Sequence, residues 1–142
     1  MSDFDEKMMQ RLKRLEREVE RLQRWESGKF IALTTPLTST NWDGDTKTTA
    51  NRAIVDLSAV FGVPAGIKAV MMSIQTQADA ANDYIRFGPN STYNYVLTCR
   101  TQVANQIAHA IGIVPCDANG DIYCYPSGDI ENVQVWIWGY WL

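Results

Sequence analysis

The sequence predicts a mainly β protein in two parts: a parallel, trimeric coiled-coil helix over residues 1–28, then an antiparallel, jelly-roll-like β-sandwich over residues 29–142. Three observations carry that prediction. Apolar residues at Met8, Leu12, Leu15, Val19 and Leu22 are spaced four, three, four, three, which is a heptad repeat. Beyond Gly28 the helical period stops, and seven or eight short β-forming runs follow, divided by turn residues. No second long helical pattern occurs in the 142 residues.

In the heptad register Leu12 and Val19 are at a, and Met8, Leu15 and Leu22 are at d. Nearly everything between them is charged, so the helix carries a seam narrower than the stripe of a helix packed on a globular core. Nothing in its own segment covers that seam, and identical chains are the expected cover. The other reading is a solvated single helix with alternating charge, which leaves five apolar side chains in water. At about 1.5 Å per residue the stalk spans roughly 35 Å. Each buried seam residue contributes about 1.5–3 kcal/mol before entropy is subtracted. Three heptads are therefore marginal alone, and the second part is expected to add to the assembly. Ser2 or Asp3 is the expected N-cap, with Glu6 in the first turn, and Ser27-Gly28 the expected end. Asp3 with Lys7 and Glu20 with Arg24 are i,i+4 pairs, each worth ~0.2–0.5 kcal/mol.

The a and d residues do not fix the number of chains: Val19 above Leu22 suits a dimer, and Leu12 and Met8 are neutral. The run Arg11-Leu12-Lys13-Arg14-Leu15-Glu16 resembles the short trimerisation motif of parallel coiled coils. That resemblance implies three chains. Arg11 at g lies beside Glu16 at e of the neighbouring chain, and the arginine stem covers the seam.

Charge divides sharply between the two parts. The stalk holds seven basic and seven acidic residues, so the net charge of −3 belongs to the remainder. No basic patch for nucleic acid appears, and no apolar run reaches membrane-spanning length. The polar, helical N-terminus is not a signal sequence, so synthesis in a cytoplasm is expected. Cys99, Cys116 and Cys124 are odd in number, which leaves at least one free or paired between chains. Cys99 reads as a small core residue; Cys116 and Cys124 flank a turn and are candidates for a hairpin disulfide.

The second part is read in order. Residues 30–33 form an apolar run that Pro36 interrupts, and residues 34–51 read as a polar surface loop carrying Trp42-Asp43-Gly44-Asp45. A short strand covers 53–57, and a turn with one helical turn covers 58–66. Residues 67–78 are a long strand with Val70, Met72 and Ile74 on one face and Ser73, Gln75 and Gln77 on the other. A short strand at 84–87 ends at Gly88-Pro89-Asn90. Tyr93, Tyr95, Leu97 and Cys99 share a face of the next, opposite Asn94, Thr98 and Arg100. Ile107, His109, Ile111 and Ile113 share a face of another, backed by Ala108, Ala110 and Gly112. Asn119-Gly120 reads as a two-residue hairpin turn into 122–125. In the final strand Val133, Val135, Ile137 and Trp141 point one way, and Trp136, Trp138, Tyr140 and Leu142 the other. Apolar residues on both faces mean cover on both. A neighbouring protomer around a three-fold axis is the expected cover, which makes Trp136, Trp138 and Trp141 candidate oligomerisation residues. Cover by the chain's own loops is the alternative. Left exposed, the strand is an aggregation hazard, so Leu142 is expected to be pinned.

No constellation for catalysis stands out, and an enzyme is not expected. His109 is the single histidine and reads as a core or interface residue. Nothing places it with Cys99, and no phosphate loop, nucleophile elbow or paired-glutamate pattern occurs. Asp117-Ala118-Asn119-Gly120-Asp121 has the one-three-five spacing of a calcium loop, but position six is Ile122 and position twelve is Gly128. A turn is the better reading, and no metal or cofactor is expected. Trp42, with Asp43 and Asp45, and Tyr93 are candidate glycan contacts, since an aromatic ring beside carboxylates and amides holds sugars by stacking and directed hydrogen bonds. A turn-anchoring tryptophan is the alternative.

A short parallel stalk, one β-sandwich and an aromatic C-terminal strand together resemble trimeric bacteriophage fibre proteins: head fibres, capsid-decorating fibres and the receptor-binding tips of tail fibres. The motifs behind this are Arg11 to Glu16 and the strand ending at Leu142. The resemblance implies a homotrimeric, non-enzymatic virion component. Its partners are its own copies, a virion attachment protein and, for a tip, a host-surface glycan, with no nucleic acid and no membrane insertion. The long repetitive shaft of that family is missing, which favours a small tip or decoration. A stand-alone oligomeric, lectin-like sandwich is the alternative.

Overall fold

A computed structural model describes residues 2–26, 28–39, 42, 53–92, 94–128 and 130–142, and the side chains of residues 23–26 lie outside that description. Helix α1 runs over Asp3–Glu26. Ser2 caps it in a reciprocal box: the Asp5 N–H donates to Ser2 Oγ at 3.2 Å, and the Ser2 hydroxyl donates back to the Asp5 carboxylate at 2.7 Å. Asp3, Asp5 and Glu6 put negative charge on the helix's positive end. Lys7 pairs with Asp3 at 3.1 Å, as the spacing predicts. The Arg24 side chain and Ser27 fall outside the described residues. Gly28 follows at φ +95°, a left-handed conformation that a side chain would resist.

Among the described residues, eight strands and a short helix follow: β1 (Phe30–Leu37), β2 (Ala53–Val55), α2 (Leu57–Phe61), β3 (Ala69–Gln77), β4 (Tyr84–Gly88), β5 (Leu97–Arg100), β6 (Ala108–Pro115), β7 (Ile122–Pro126) and β8 (Asn132–Trp141). They form two antiparallel sheets, in the orders β1-β8-β3-β6 and β2-β7-β4-β5. The first strand pairs with the last, the second with the seventh, the third with the sixth and the fourth with the fifth. The chain is thus a long antiparallel ribbon folded into two layers.

Alternation along each strand builds the core between those layers. Val70, Met72 and Ile74 of β3 and Val133, Val135 and Ile137 of β8 face Ile85 and Phe87 of β4, Leu97 and Cys99 of β5, and Ile122 and Cys124 of β7. Each large apolar side chain buried there contributes about 1.5–3 kcal/mol. Leu57, Phe61 and Ile67 add to the same buried cluster. Helix α2 starts on Asp56, whose Oδ1 accepts from the Ala59 N–H at 3.1 Å and the Ser58 hydroxyl at 2.9 Å. The Ala59 N–H first, and then Ser58, hold the Asp56 carboxyl below its usual range.

Several expectations change. Pro36 does not end the first strand, which continues to Leu37. β1 is an edge strand and its register against β8 slips between Ala32 and Leu37, so a residue without an N–H is tolerated there. Asn119-Gly120 does not close a hairpin, because β6 and β7 belong to different sheets and the turn carries the chain between layers. Tyr95 lies before β5, which begins at Leu97, and Tyr93 is outside the described residues. No disulfide joins Cys99, Cys116 and Cys124.

The largest change is on β6. Its small residues Ala108, Ala110 and Gly112 face inward, paired with Thr76, Ile74 and Met72 of β3. His109, Ile111 and Ile113 are exposed on the outer face, with Ile111 at 68 %. The reason is local: a Cβ on Gly112 would press on the Leu97 side chain of the opposite sheet. At this corner the layers approach closely and only small residues fit. His109 is therefore not a core residue.

Candidate functional site

The stalk presents the first candidate surface. Met8, Leu12, Leu15, Val19 and Leu22 are 43–61 % exposed, and every described side chain of α1 is exposed. The seam that the heptad defines has no cover within the chain. Among the described residues, neither Arg11 nor Glu16 has an ion-pair partner in its own chain. Glu18 does: Arg21 holds it at 2.6 Å and lowers its carboxyl below the usual value.

The second surface is the outer face of the first sheet, and a bulge creates it. In the β3–β8 ladder Met71 pairs with Gly139 and Met72 with Ile137, leaving Trp138 as an extra residue. One extra residue reverses the alternation beyond it. Tyr140 and Leu142 therefore pack on the core, and Trp141 turns outward. Trp136, Trp138 and Trp141 consequently share one face, instead of Trp141 opposing the other two. The Trp138 indole N–H donates to Ser73 Oγ of β3 at 2.9 Å. Trp141 stacks on Phe30, with ring centroids 4.4 Å apart. The Phe30 ring lies over Gly139, where a Cβ would strike both that ring and the Ile31 carbonyl oxygen.

Register gives this face a gradient. One end carries the row Phe30, Trp141 and Ala69, then the row Gly139, Met71 and Ile113. The far end carries Gln134, Gln75 and His109 side by side. The apolar end is the one nearest the stalk. The Gly28 N–H donates to the Leu142 carbonyl, and the Leu142 N–H to that of Lys29 at 3.0 Å, so the helix exit is tied to the last residue. Leu142 is pinned as expected. The signal for the bulge was Gly139, since a glycine inside an apolar strand marks such a break. Phe30, Met71 and Ile113 gave no signal of their own, because their place beside Trp141 and Gly139 depends on pairing.

The third surface is a cleft of about 280 Å³ beside β8, lined by Thr38, Ser39, Trp42, Phe61, Gln134 and Trp136. Trp42 packs against the core, 6.3 Å from the Phe61 ring, and its backbone N–H donates to Ser39 Oγ at 3.0 Å. Its indole N–H is buried without a partner among the described residues. Asp43, Asp45 and Tyr93 lie outside the described residues, so of the candidate glycan contacts Trp42 alone is located.

The remaining chemistry is accounted for by structure. Asp117 Oδ1 accepts the N–H groups of Asn119 and Asp121, each at 2.9 Å, which makes it the anchor of a turn. Asp121 is nearly buried, and its carboxyl is raised by that burial and by Asp56 and Asp117. Cys99 Sγ lies inside, 3.2 Å from Thr76 Oγ1, while His109 points to the outer face. Among the described residues no cluster of three metal-ligating side chains occurs, and no helix is long and apolar enough to cross a membrane. Comparison with known protein families and with curated proteins finds no match to this chain.

Proposed function

We propose that this chain is a non-enzymatic structural component of a virus particle, a homotrimeric fibre or tip that decorates the particle or attaches it to a host-surface receptor. The observation that carries this reading is the uncovered seam of α1, five apolar side chains in heptad register on a helix whose described side chains are all exposed. Three parallel copies bury that seam. They also bring Arg11 of one chain beside Glu16 of the next, which supplies the partner each lacks at home. The outer face of the first sheet supports the same assembly. Its apolar end adjoins the stalk, so a three-fold axis along the stalk gathers Phe30, Trp138 and Trp141 from three chains and leaves the polar end open. The pairing of first strand with last, through to fourth with fifth, supports the finer reading of the sandwich as a jelly roll, an architecture of capsid domains and lectins alike.

Mass in solution tests the assembly, for the full chain and for a chain starting at Lys29. Three chains are expected in both, with the shorter form dissociating at higher concentration. A single chain at micromolar concentration overturns the reading. Virion membership is tested separately, by quantifying the chain in purified particles from its source. Its absence there removes the virion role and leaves the trimer standing.

A stand-alone oligomeric, carbohydrate-binding protein is the second reading, favoured by the cleft beside Trp42 with its unpaired indole N–H. Binding of neutral sugars on a glycan array, lost in Trp42→Phe, selects it.

A further inference from the structure

The outer face of the second sheet carries charge where the first carries tryptophan. Tyr84 and Arg86 of β4 and Thr98 and Arg100 of β5 alternate with the inward Ile85, Phe87, Leu97 and Cys99, and so lie on this outer face. The Arg86 guanidinium lies over two rings, 3.9 Å from the centroid of Tyr84 and 4.7 Å from that of Tyr95. Arg100, opposite Tyr84 in the ladder, places its guanidinium 5.2 Å from the same Tyr84 ring. Tyr95 in turn meets Tyr125 edge-on at 4.9 Å, and the Tyr125 hydroxyl is anchored to the Asn90 carbonyl.

This ladder holds two guanidinium groups close to aromatic rings. A cation–π contact consumes no hydrogen-bond acceptor and leaves guanidinium N–H groups for a ligand. Among the described residues no carboxylate forms an ion pair with either. The nearest in sequence, Asp83, accepts from the Ser127 hydroxyl at 3.2 Å. Two like charges on neighbouring strands repel, and no described carboxylate pairs with either, although residues 29–142 are net acidic. A local conflict of this kind marks a functional surface. The four residues lie on the outer face of a sheet, which suits a ligand presented along a polymer better than an enclosed small molecule.

We propose that Arg86 and Arg100 form a binding site for the carboxylate groups of an acidic saccharide chain. Each guanidinium grips a carboxylate through two parallel N–H bonds, and the hydroxyls of Thr98 and Tyr84 meet those of the sugar. The site lies within one chain and stands whether or not three chains assemble. In the three-fold arrangement it is on the sheet turned away from the axis.

Calorimetric titration of the full chain with oligogalacturonate tests it, with neutral oligogalactose and inorganic phosphate as parallel arms. Saturable binding of the acidic oligomer is expected, weakening as salt rises and absent for the neutral one. Arg100→Gln is exposed and leaves the core untouched; it should weaken binding about tenfold or more, and Arg86→Lys, which keeps the charge but loses the fork, by a similar factor. Lys68→Gln should leave it unchanged. No saturation by the acidic oligomer overturns the proposal, as does equal affinity of the Arg100→Gln chain. Phosphate binding at the same arginines, without saccharide binding, overturns it too. Solution mass is measured alongside, so a failure of the trimer and a failure of this site are told apart.

Discussion

The indole N–H of Trp138 donates to Ser73 Oγ at 2.9 Å, joining the bulged residue of β8 to its neighbour strand β3 across the outer face of the first sheet. A bulge leaves one residue without a ladder partner, and this bond is what holds that residue in place. Ser73→Ala is expected to cost about 1 kcal/mol in denaturant unfolding, a usual value for one hydrogen bond. Trp138→Phe removes the same bond from the other side. In a double-mutant cycle the two losses should add to less than their sum; strict additivity contradicts the assignment.

Gly139 sits beneath the Phe30 ring, next to the bulge. Gly139→Ala drives a methyl into that ring and into the Ile31 carbonyl oxygen. A loss of about 1–3 kcal/mol is expected, the usual cost of overpacking. Adding Phe30→Ala should recover part of it but not all, since the carbonyl stays. Thermal melts of the parent chain and these two variants check this.

Leu15 is a d residue and 61 % exposed in the single chain. Leu15→Asp puts three carboxylates together in a trimer seam, where unpaired charge is not tolerated. At a concentration where the parent is three chains and the chain starting at Lys29 has dissociated, the variant should run as one chain by light scattering, with weaker helical dichroism, because a lone helix of this length is marginal in water. Its β signal should persist. An unchanged mass would falsify the seam as the assembly surface.

Burial first, and then Asp117 and Asp121, push the Cys116 thiol up to about 12 from the ordinary 9.0. The folded chain thus keeps a proton that the unfolded chain gives up near pH 9. Stability from this group is full below about pH 9 and falls as pH rises toward 12. Cys116→Ala should flatten that alkaline limb relative to the parent chain. At pH 8, a thiol reagent should label the folded protein far more slowly than the protein in denaturant, since Cys99 and Cys124 are buried and Cys116 is half-buried. Rapid labelling of the folded chain contradicts this.

Much of the fold is legible from residue spacing. The heptad seam, the Ser2 cap, the strand at Val70, Met72 and Ile74, and the short helix before Gly62 all follow from periods and punctuation that act within a few residues. Such patterns record how one segment divides itself between water and apolar surroundings, and a segment carries that record alone. The site surfaces are less legible. Only pairing with β3 turned Trp141 to the side of Trp136 and Trp138. Only the approach of Leu97 to Gly112 put the alanines of β6 inside and its isoleucines out. Arg86 and Arg100 drew no attention as separate residues, and became one cluster when β4 met β5. The sequence by itself determined which segments are helix or strand and which positions alternate. The tertiary structure decided which face of each strand is inside and which residues share a surface, because one bulge or one close contact between layers reverses an alternation that local sequence states only up to its sign.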